Sequence, residues 1–351
     1  MKIVYGLIAL APIAILLELT GWGGHSAVFI VSALAMVPLA AVLGRATEDA
    51  AIYTGPKIGS LLNATLGNAP ELIITIVALR EGLVNVVKAS IVGSIVGNIL
   101  VVLGASILVG GLKNGVQRFD GRTAGTNATM MMLAVIALVI PAVFALGQAE
   151  HRPTQADIER LSDGVAVVLI VLYGLYLFFS LRQTSPAEES RGGKTEHPSM
   201  RLPVAIGVLA ASTLAIVFMS ELLVGALEPT AEDWGLSDLF IGVMLVPLVG
   251  NIAEHFVAVQ VALRNKMDLS LGIALGSGLQ IALFVTPVLV LAGVLLGEPM
   301  TLVFNSFELA ALVGAAVIAV LIANDGESNW LEGAELLALY IILGIAFFFV
   351  P

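Results

Sequence analysis

Long apolar runs separated by short polar intervals make up nearly the whole chain. Eleven runs can be counted, at about 3–20, 26–43, 59–80, 86–110, 128–148, 163–181, 202–226, 238–263, 269–296, 301–323 and 332–350. Each reaches or approaches the roughly 20 residues a helix needs to cross a bilayer. The pattern predicts an all-α polytopic membrane protein of about eleven transmembrane helices. The longest polar interval, about 182–201, mixes Ser, Gly, Pro and charges of both signs, and reads as a cytoplasmic linker between two halves.

The basic residues orient this array. Assigning the intervals alternately to two sides places Lys2, Arg45, Lys57, Lys113, Arg118, Arg122, Arg182, Arg191, Lys194, Arg201, Arg264 and Lys266 on the side of the N-terminus. Only Arg80, Lys88, Arg152 and Arg160 fall opposite. By the positive-inside rule the N-terminus is cytoplasmic and, after eleven crossings, the C-terminus is outside. The lopsidedness also supports the segment count, since one missed helix would scramble the loops after it.

Composition agrees: 58% hydrophobic and 12% charged residues describe a chain that could not stay dissolved, and no interval is long enough for a soluble domain or a nucleic-acid-binding module. The formal charge of −10 matters less here than where the cations lie. The absence of cysteine removes disulfides, thiolate metal sites and cysteine nucleophiles. A signal-peptide reading of residues 1–20 is disfavoured because Glu18 stands where a small-residue cleavage site belongs. The compact chain, without a long regulatory N-terminus, favours a prokaryotic cell membrane, with a vacuolar membrane as the alternative.

Against this apolar background one polar signature occurs twice. Gly67-Asn68-Ala69-Pro70-Glu71 and Gly250-Asn251-Ile252-Ala253-Glu254 are offset by 183 residues, and at the same offset Gly93-Ser94 falls on Gly276-Ser277. A carboxylate at the centre of a membrane helix costs roughly 2.5–3.5 kcal/mol on insertion scales, so such residues face a cavity or an ion path. The signatures lie five crossings apart, and an odd number means that the copies enter the membrane from opposite sides. The expected organisation is an extra N-terminal helix (1–25), a first repeat (26–181), the linker (182–201) and a second, inverted repeat (202–351). Such architectures place their site at the midplane on helices broken by Gly or Pro and work by alternating access. Gly67 with Pro70, and Pro247 with Gly250, are the expected breakers.

Helical spacing gathers the polar residues. Asn68 and Glu71 are three apart, as are Asn251 and Glu254; His255 borders the second face and Thr65 extends the first. On the following helices Ser94 pairs with Asn98, and Ser277 with Gln280. Two carboxylates with amide, hydroxyl and broken-helix carbonyl oxygens form a set for a hard cation such as calcium, whereas zinc would want His or Cys, of which the membrane holds only His255. Burial favours a neutral carboxyl group and a bound dication favours the charged one, so protons and metal compete for Glu71 and Glu254. The pair is expected to carry one divalent cation or two protons.

The runs Gly44-Arg45-Ala46-Thr47-Glu48, Leu61 to Ile74, Gly93-Ser94-Ile95-Val96-Gly97-Asn98, Gly250 to His255 and Asp325 to Gly333 resemble the calcium/proton antiporter (CAX) family of the cation/calcium exchanger superfamily, from about residue 40 onward. The resemblance implies an eleven-helix exchanger that expels cytosolic calcium against proton entry, with Glu71 and Glu254 as carriers and Asn68, Asn251, His255, Ser94, Asn98, Ser277 and Gln280 around them. No cofactor is implied, calcium and protons being cargo; the lipid bilayer is the medium, and a homo-oligomer fits as well as a monomer. The chain departs from the family where Glu188, Glu189 and Glu196 are interleaved with Arg191 and Lys194 in place of a strongly acidic inter-repeat helix, and where Ile252 replaces a smaller residue.

The alternatives are weaker. A sodium/calcium exchanger of the same superfamily would resemble Gly-Thr-Ser-x-Pro-Glu/Asp rather than these Asn-bearing signatures. An intramembrane metalloprotease needs His-Glu-x-x-His, which Glu254-His255 is not. A passive channel does not require paired carboxylates on inverted helices. Structural readings remain for Asn68 and Asn251, which can satisfy carbonyls freed at helix breaks, and for Ser94 and Ser277 as close-packing residues. Glu48, Glu221, Glu308, Glu332 and Glu335 read as solvated or loop-pairing, and Asp325 to Gly333 as a turn capping the last helix.

Overall fold

The computed structural model describes residues 7–147, 153–182 and 198–350. Most of the expected linker, with Glu188, Glu189, Arg191, Lys194 and Glu196, lies outside the described residues, as do Lys2 and Arg152. The described chain is almost entirely helical: α1 (Leu10–Thr20, after one 3-10 turn), α2 (Gly24–Leu66), α3 (Ala69–Arg80), α4 (Val84–Asn114), α5 (Gly121–Leu146), α6 (Gln155–Arg182), α7 (Leu202–Gly225), α8 (Leu227–Trp234), α9 (238–263), α10 (Met267–Leu296), α11 (Ser306–Asp325) and α12 (Trp330–Phe349).

Eight of these are long and apolar enough to cross a membrane: α2 as far as Gly55, α4, α5, α6, α7, α10, α11 and α12. A ninth arises if α8 and α9, bent by 116° to each other, count as one span. The remaining expected runs are helical but shorter. The run at 3–20 is a helix over Leu7–Thr20, and the run at 59–80 is cut into the end of α2 and the whole of α3. α2 is broken a second time at Gly55, whose φ of 81° is open to glycine at little cost.

Burial sorts the helices. In its most apolar stretch α4 is 83% buried, against 17% for α6 and 22% for α7, so α4 forms the centre and α6 and α7 the periphery. α4 reaches this depth by close approach to α9. A Cβ at Gly242 would lie 2.6 Å from Ala89 Cβ, and one at Gly93 would collide with Val243 O and come within 2.6 Å of Pro247 Cγ. Pro247 has no N–H to donate four residues back to the Val243 carbonyl, and Gly93 gives that carbonyl room.

The two halves correspond in backbone detail at the offset found in the sequence. The first segments of α4 (Val84–Gly97) and α10 (Met267–Gln280) match at 183 residues, and each passes into a π-helical stretch, Asn98–Leu103 and Ile281–Val285. The turns that precede them match too: Gly82 and Asn265, at φ 78° and 57°, occupy equivalent left-handed positions, and Asn265 is the single non-glycine there among the described residues.

Three features were not expected. Gln117–Arg118 pairs antiparallel with Glu327–Ser328. The amphipathic α8 precedes α9. Asp49 on α2 is 5% exposed and accepts hydrogen bonds from Ser199 N (3.0 Å), Ser199 Oγ (2.6 Å) and Met200 N (3.1 Å), tying the chain that enters α7 to α2. The turn expected at Asp325 to Gly333 is present: Gly326 ends α11 at φ 74°, and Asn329 caps α12 by accepting from Leu331 N and Glu332 N.

Candidate cation site

The first signature breaks its helix and the second does not. Asn68, at φ −100° and ψ 25°, stands between α2 and α3, and Glu71 falls in the first turn of α3. α9 runs without a break through Gly250 and Asn251; its distortion comes one turn earlier, as a π-helical stretch over Ile241–Leu245 just before Pro247. Gly250 therefore serves another purpose than the expected break. A Cβ there would lie 2.9 Å from Glu71 Oε1, 3.1 Å from its Cγ and 3.3 Å from its Cδ. The glycine lets the carboxylate of the first signature rest on the backbone of the second.

The asparagines and serines lock the repeats together as symmetry mates. Ser277 Oγ donates to Asn68 Oδ1 at 3.0 Å, and at the 183-residue offset Asn251 Nδ2 donates to Ser94 Oγ at 3.3 Å. Asn98 Nδ2 donates to Ser277 Oγ at 3.1 Å, Asn251 Nδ2 donates also to Pro247 O at 3.0 Å, and Asn68 Nδ2 donates to Gln280 Oε1. Every one of these bonds except Asn251 to Pro247 crosses between the halves. Asn68, Asn98, Asn251 and Ser94 are at most 2% exposed, and Ser277 is 5%.

Within this frame the acceptors outnumber the donors. Glu71 Oε2, Glu254 Oε2, Asn98 Oδ1 and Asn251 Oδ1 are buried without a hydrogen-bond partner. Glu71 and Glu254 lie close enough to repel each other, Ser277 lies against Glu254, and no lysine or arginine among the described residues makes an ion pair with either. Four oxygens with no donor facing them are a site for a cation or for protons, because buried acceptors left unmatched are costly.

Of the ten residues singled out in the sequence, eight are drawn together: Glu71, Glu254, Asn68, Asn251, Ser94, Asn98, Ser277 and Gln280. Thr65 stands apart, its hydroxyl donating to Leu61 O at 2.9 Å. The helix stays regular through Gly67 and departs from helical geometry only at Asn68, so the Thr65 hydroxyl is spent on its own helix, one turn before the break. His255 neighbours Glu254 in sequence, is half-buried, and makes no hydrogen bond with the others among the described residues. Glu308, expected to be solvated or loop-paired, is loop-paired: it is 4% exposed and closes a capping box with Asn305. Glu221 meets the loop-pairing expectation with Arg80 at 3.5 Å. Gly250 as a contact for Glu71 was missed, since a glycine gives no sign in the sequence of what rests on it.

Buried, unpartnered oxygens on helices broken or distorted within the membrane, in two matching halves, define a cation exchanger, and the chain belongs to the sodium/calcium exchanger protein family, whose model matches residues 25–182 and 204–349. It is a membrane protein. It is 47% identical to the Ca(2+)/H(+) antiporter of Aphanothece halophytica, over 99% of this chain and 97% of that one. It is 44% identical to the Ca(2+)/H(+) antiporter ChaA of Bacillus subtilis, over 96% of each. Among solved structures, native YfkE superposes with a TM-score of 0.85 at 42% identity, over 99% of this chain and 100% of that one. The fold also matches an H+/Ca2+ exchanger CAX, with a TM-score of 0.76 at 16% identity over 98% of this chain and 91% of that one.

Proposed function

We propose that the chain is a secondary active antiporter that exports calcium from the cytoplasm in exchange for protons, with Glu71 and Glu254 as carriers of both. The observation that carries this reading is the meeting of two buried carboxylates and two buried amide oxygens, each with an unpartnered acceptor, where no basic side chain among the described residues pairs with them. Such a site is neutral when it holds two protons and neutral when it holds one divalent cation. Unloaded, it would hold two charges at the bilayer centre, each costing roughly 2.5–3.5 kcal/mol. The empty carrier is thus disfavoured from switching sides, and that penalty couples the two fluxes. Calcium suits the set because it takes six to eight oxygens in flexible geometry. The names of the near relatives support calcium and protons over a sodium-driven exchange.

In this reading Asn98 and Asn251 offer oxygens to the cation, while Asn68, Gln280, Ser94 and Ser277 hold the two repeats in register around it. The repeats are inverted, with the N-terminus cytoplasmic and the C-terminus outside. The closed seam of α4 against α9, at Gly93 and Gly242, then bars the outer route. Its pseudo-symmetric counterpart shows no such contact: among the described residues a Cβ at Gly276 would meet nothing within 4 Å, and Gly67 is exposed where Gly250 is buried. The state is one in which the site faces the cytoplasm.

The test is calcium-45 uptake into proteoliposomes with the interior acid, beside sodium-gradient and no-gradient controls. Uptake that requires the pH gradient and is lost in Glu254→Gln supports the reading. Uptake that follows sodium, or that persists in the variant, overturns it.

A further inference from the structure

On the outer side of the closed seam lies a cavity of about 690 Å³. Its wall includes Asn85 and Lys88 of α4, Glu228 and Glu232 of α8, Asp238 of α9 and Glu308 of α11. Its floor is the seam itself, because Lys88 is followed at once by Ala89, which packs on Gly242, and Leu239 precedes that glycine by three residues. When the seam parts, this cavity becomes the last stretch of the outer path.

Among the described residues Lys88 is the one basic residue in that wall. Its Nζ donates to Val303 O at 3.1 Å and to Thr301 Oγ1 at 3.3 Å, two neutral acceptors in the connection before α11. It has no carboxylate within ion-pair distance among the described residues. Glu308, the acidic group facing it from α11, is engaged by Asn305 N at 2.7 Å; Glu228 and Glu232 face the cavity from α8, and Asp238 from α9. The ammonium is thus anchored without being neutralised by contact. It also has no counterpart in the other half, where the equivalent position is Leu271, 3% exposed. In a molecule whose site is built symmetrically, a cation at this position in one repeat and a leucine in the other makes the two faces unequal.

We propose that Lys88 is a specificity-determining residue of the outer face: a fixed positive charge at the floor of the outer vestibule that weakens the hold of that face on the divalent cation and speeds its release. The inference rests on the antiport reading above. Lys88 precedes Ser94 by six residues, about 9 Å of helical rise. A unit charge acting on a divalent ion at that distance, with water-like screening, changes its affinity on the order of fivefold. Surface charges of this kind act through the local concentration of the ion and are screened by salt.

The experiment compares wild type, Lys88→Met, Lys88→Arg and Glu232→Lys in proteoliposomes of known orientation, with calcium varied separately on each face under a fixed pH gradient. Lys88→Met should lower the half-saturating calcium of the outer face about fivefold and leave the inner-face value alone; Lys88→Arg should behave as wild type. The effect should shrink at high ionic strength, as a packing defect would not. Glu232→Lys, at an exposed position, should raise the outer-face value, and it decides the matter if Lys88→Met fails to fold. An unchanged outer-face value in both charge variants, or equal changes on both faces, overturns the assignment. A wild type without pH-driven calcium flux overturns the antiport reading, and this inference with it.

Discussion

Gly250→Ala isolates the contact on which the site depends. The methyl group would sit 2.9 Å from Glu71 Oε1, 3.1 Å from its Cγ and 3.3 Å from its Cδ, so the carboxylate must move as a unit by a few tenths of an ångström. Metal sites tolerate ligand displacements of only about 0.2 Å. Misplacing one carboxylate forfeits a charged interaction of about 1.5–3 kcal/mol, which raises the half-saturating calcium by about 10- to 150-fold. The fold should not suffer, because alanine is preferred to glycine within a helix by up to about 1 kcal/mol. Gly272→Ala, in α10 at an exposed position where a Cβ meets nothing within 4 Å, is the control. Calcium-dependent flux and thermal unfolding in detergent are measured on the same preparations. A Gly250→Ala protein that is folded and keeps wild-type calcium dependence would refute the contact between signatures as a condition of binding.

Other consequences can be checked alongside. Gly276→Ala leaves the cytoplasm-facing state unstrained but obstructs closure of the seam on that side, so turnover should fall tenfold or more with the melting temperature held; calcium-45 exchange against a thermal melt reads both. Asn251→Ala removes the bonds to Ser94 and Pro247 together with one of the unpartnered oxygens, and should weaken calcium dependence by about tenfold, at about 1–1.5 kcal/mol for a hydrogen-bonding group, measured as half-saturation of uptake. Asp120 caps α5 by accepting from Thr123 Oγ1 (2.6 Å) and Arg122 N (3.0 Å), and these bonds hold its carboxyl below the usual range. A lowered value in the folded state adds stability above the ordinary carboxylate pKa and loses it as pH falls through the folded value. Asp120→Ala should therefore cost about 1 kcal/mol at pH 7 and progressively less below about pH 4, by unfolding in detergent.

Most of the site could be read from the chain because its geometry is written twice. The 183-residue offset that relates Asn68 to Asn251 and Ser94 to Ser277 is also the offset that relates their mutual hydrogen bonds, and it recurs in the left-handed turn at Gly82 and Asn265. Apolar run length located the helices for a similar reason: in lipid, a backbone that satisfies itself leaves few choices. What escaped depends on tertiary contact or on backbone detail with no periodic signature. Spacing placed Thr65 on the polar face, but spacing does not show that its hydroxyl bonds back to Leu61 O. Pro247 and Gly250 were expected to break α9, whereas the proline gives a π-helical stretch beforehand and the glycine gives room for Glu71. Nothing in the sequence pattern singles out Asp49, because its three donors come from residues 150 positions away or more. For Glu308 the sequence left solvated and loop-paired roles open, and the capping box with Asn305 selects the second, burying a carboxylate at a helix start.

The claim beneath all of this is that one pair of carboxylates holds calcium and protons in turn. It is tested most directly by adding calcium to weakly buffered, detergent-solubilised protein and recording the protons released for each ion bound, in wild type, Glu71→Gln and Glu254→Gln. Proton release that accompanies calcium binding in wild type and is abolished with binding in both variants is the expected result. Calcium binding without proton release, or release that survives loss of either glutamate, would contradict it.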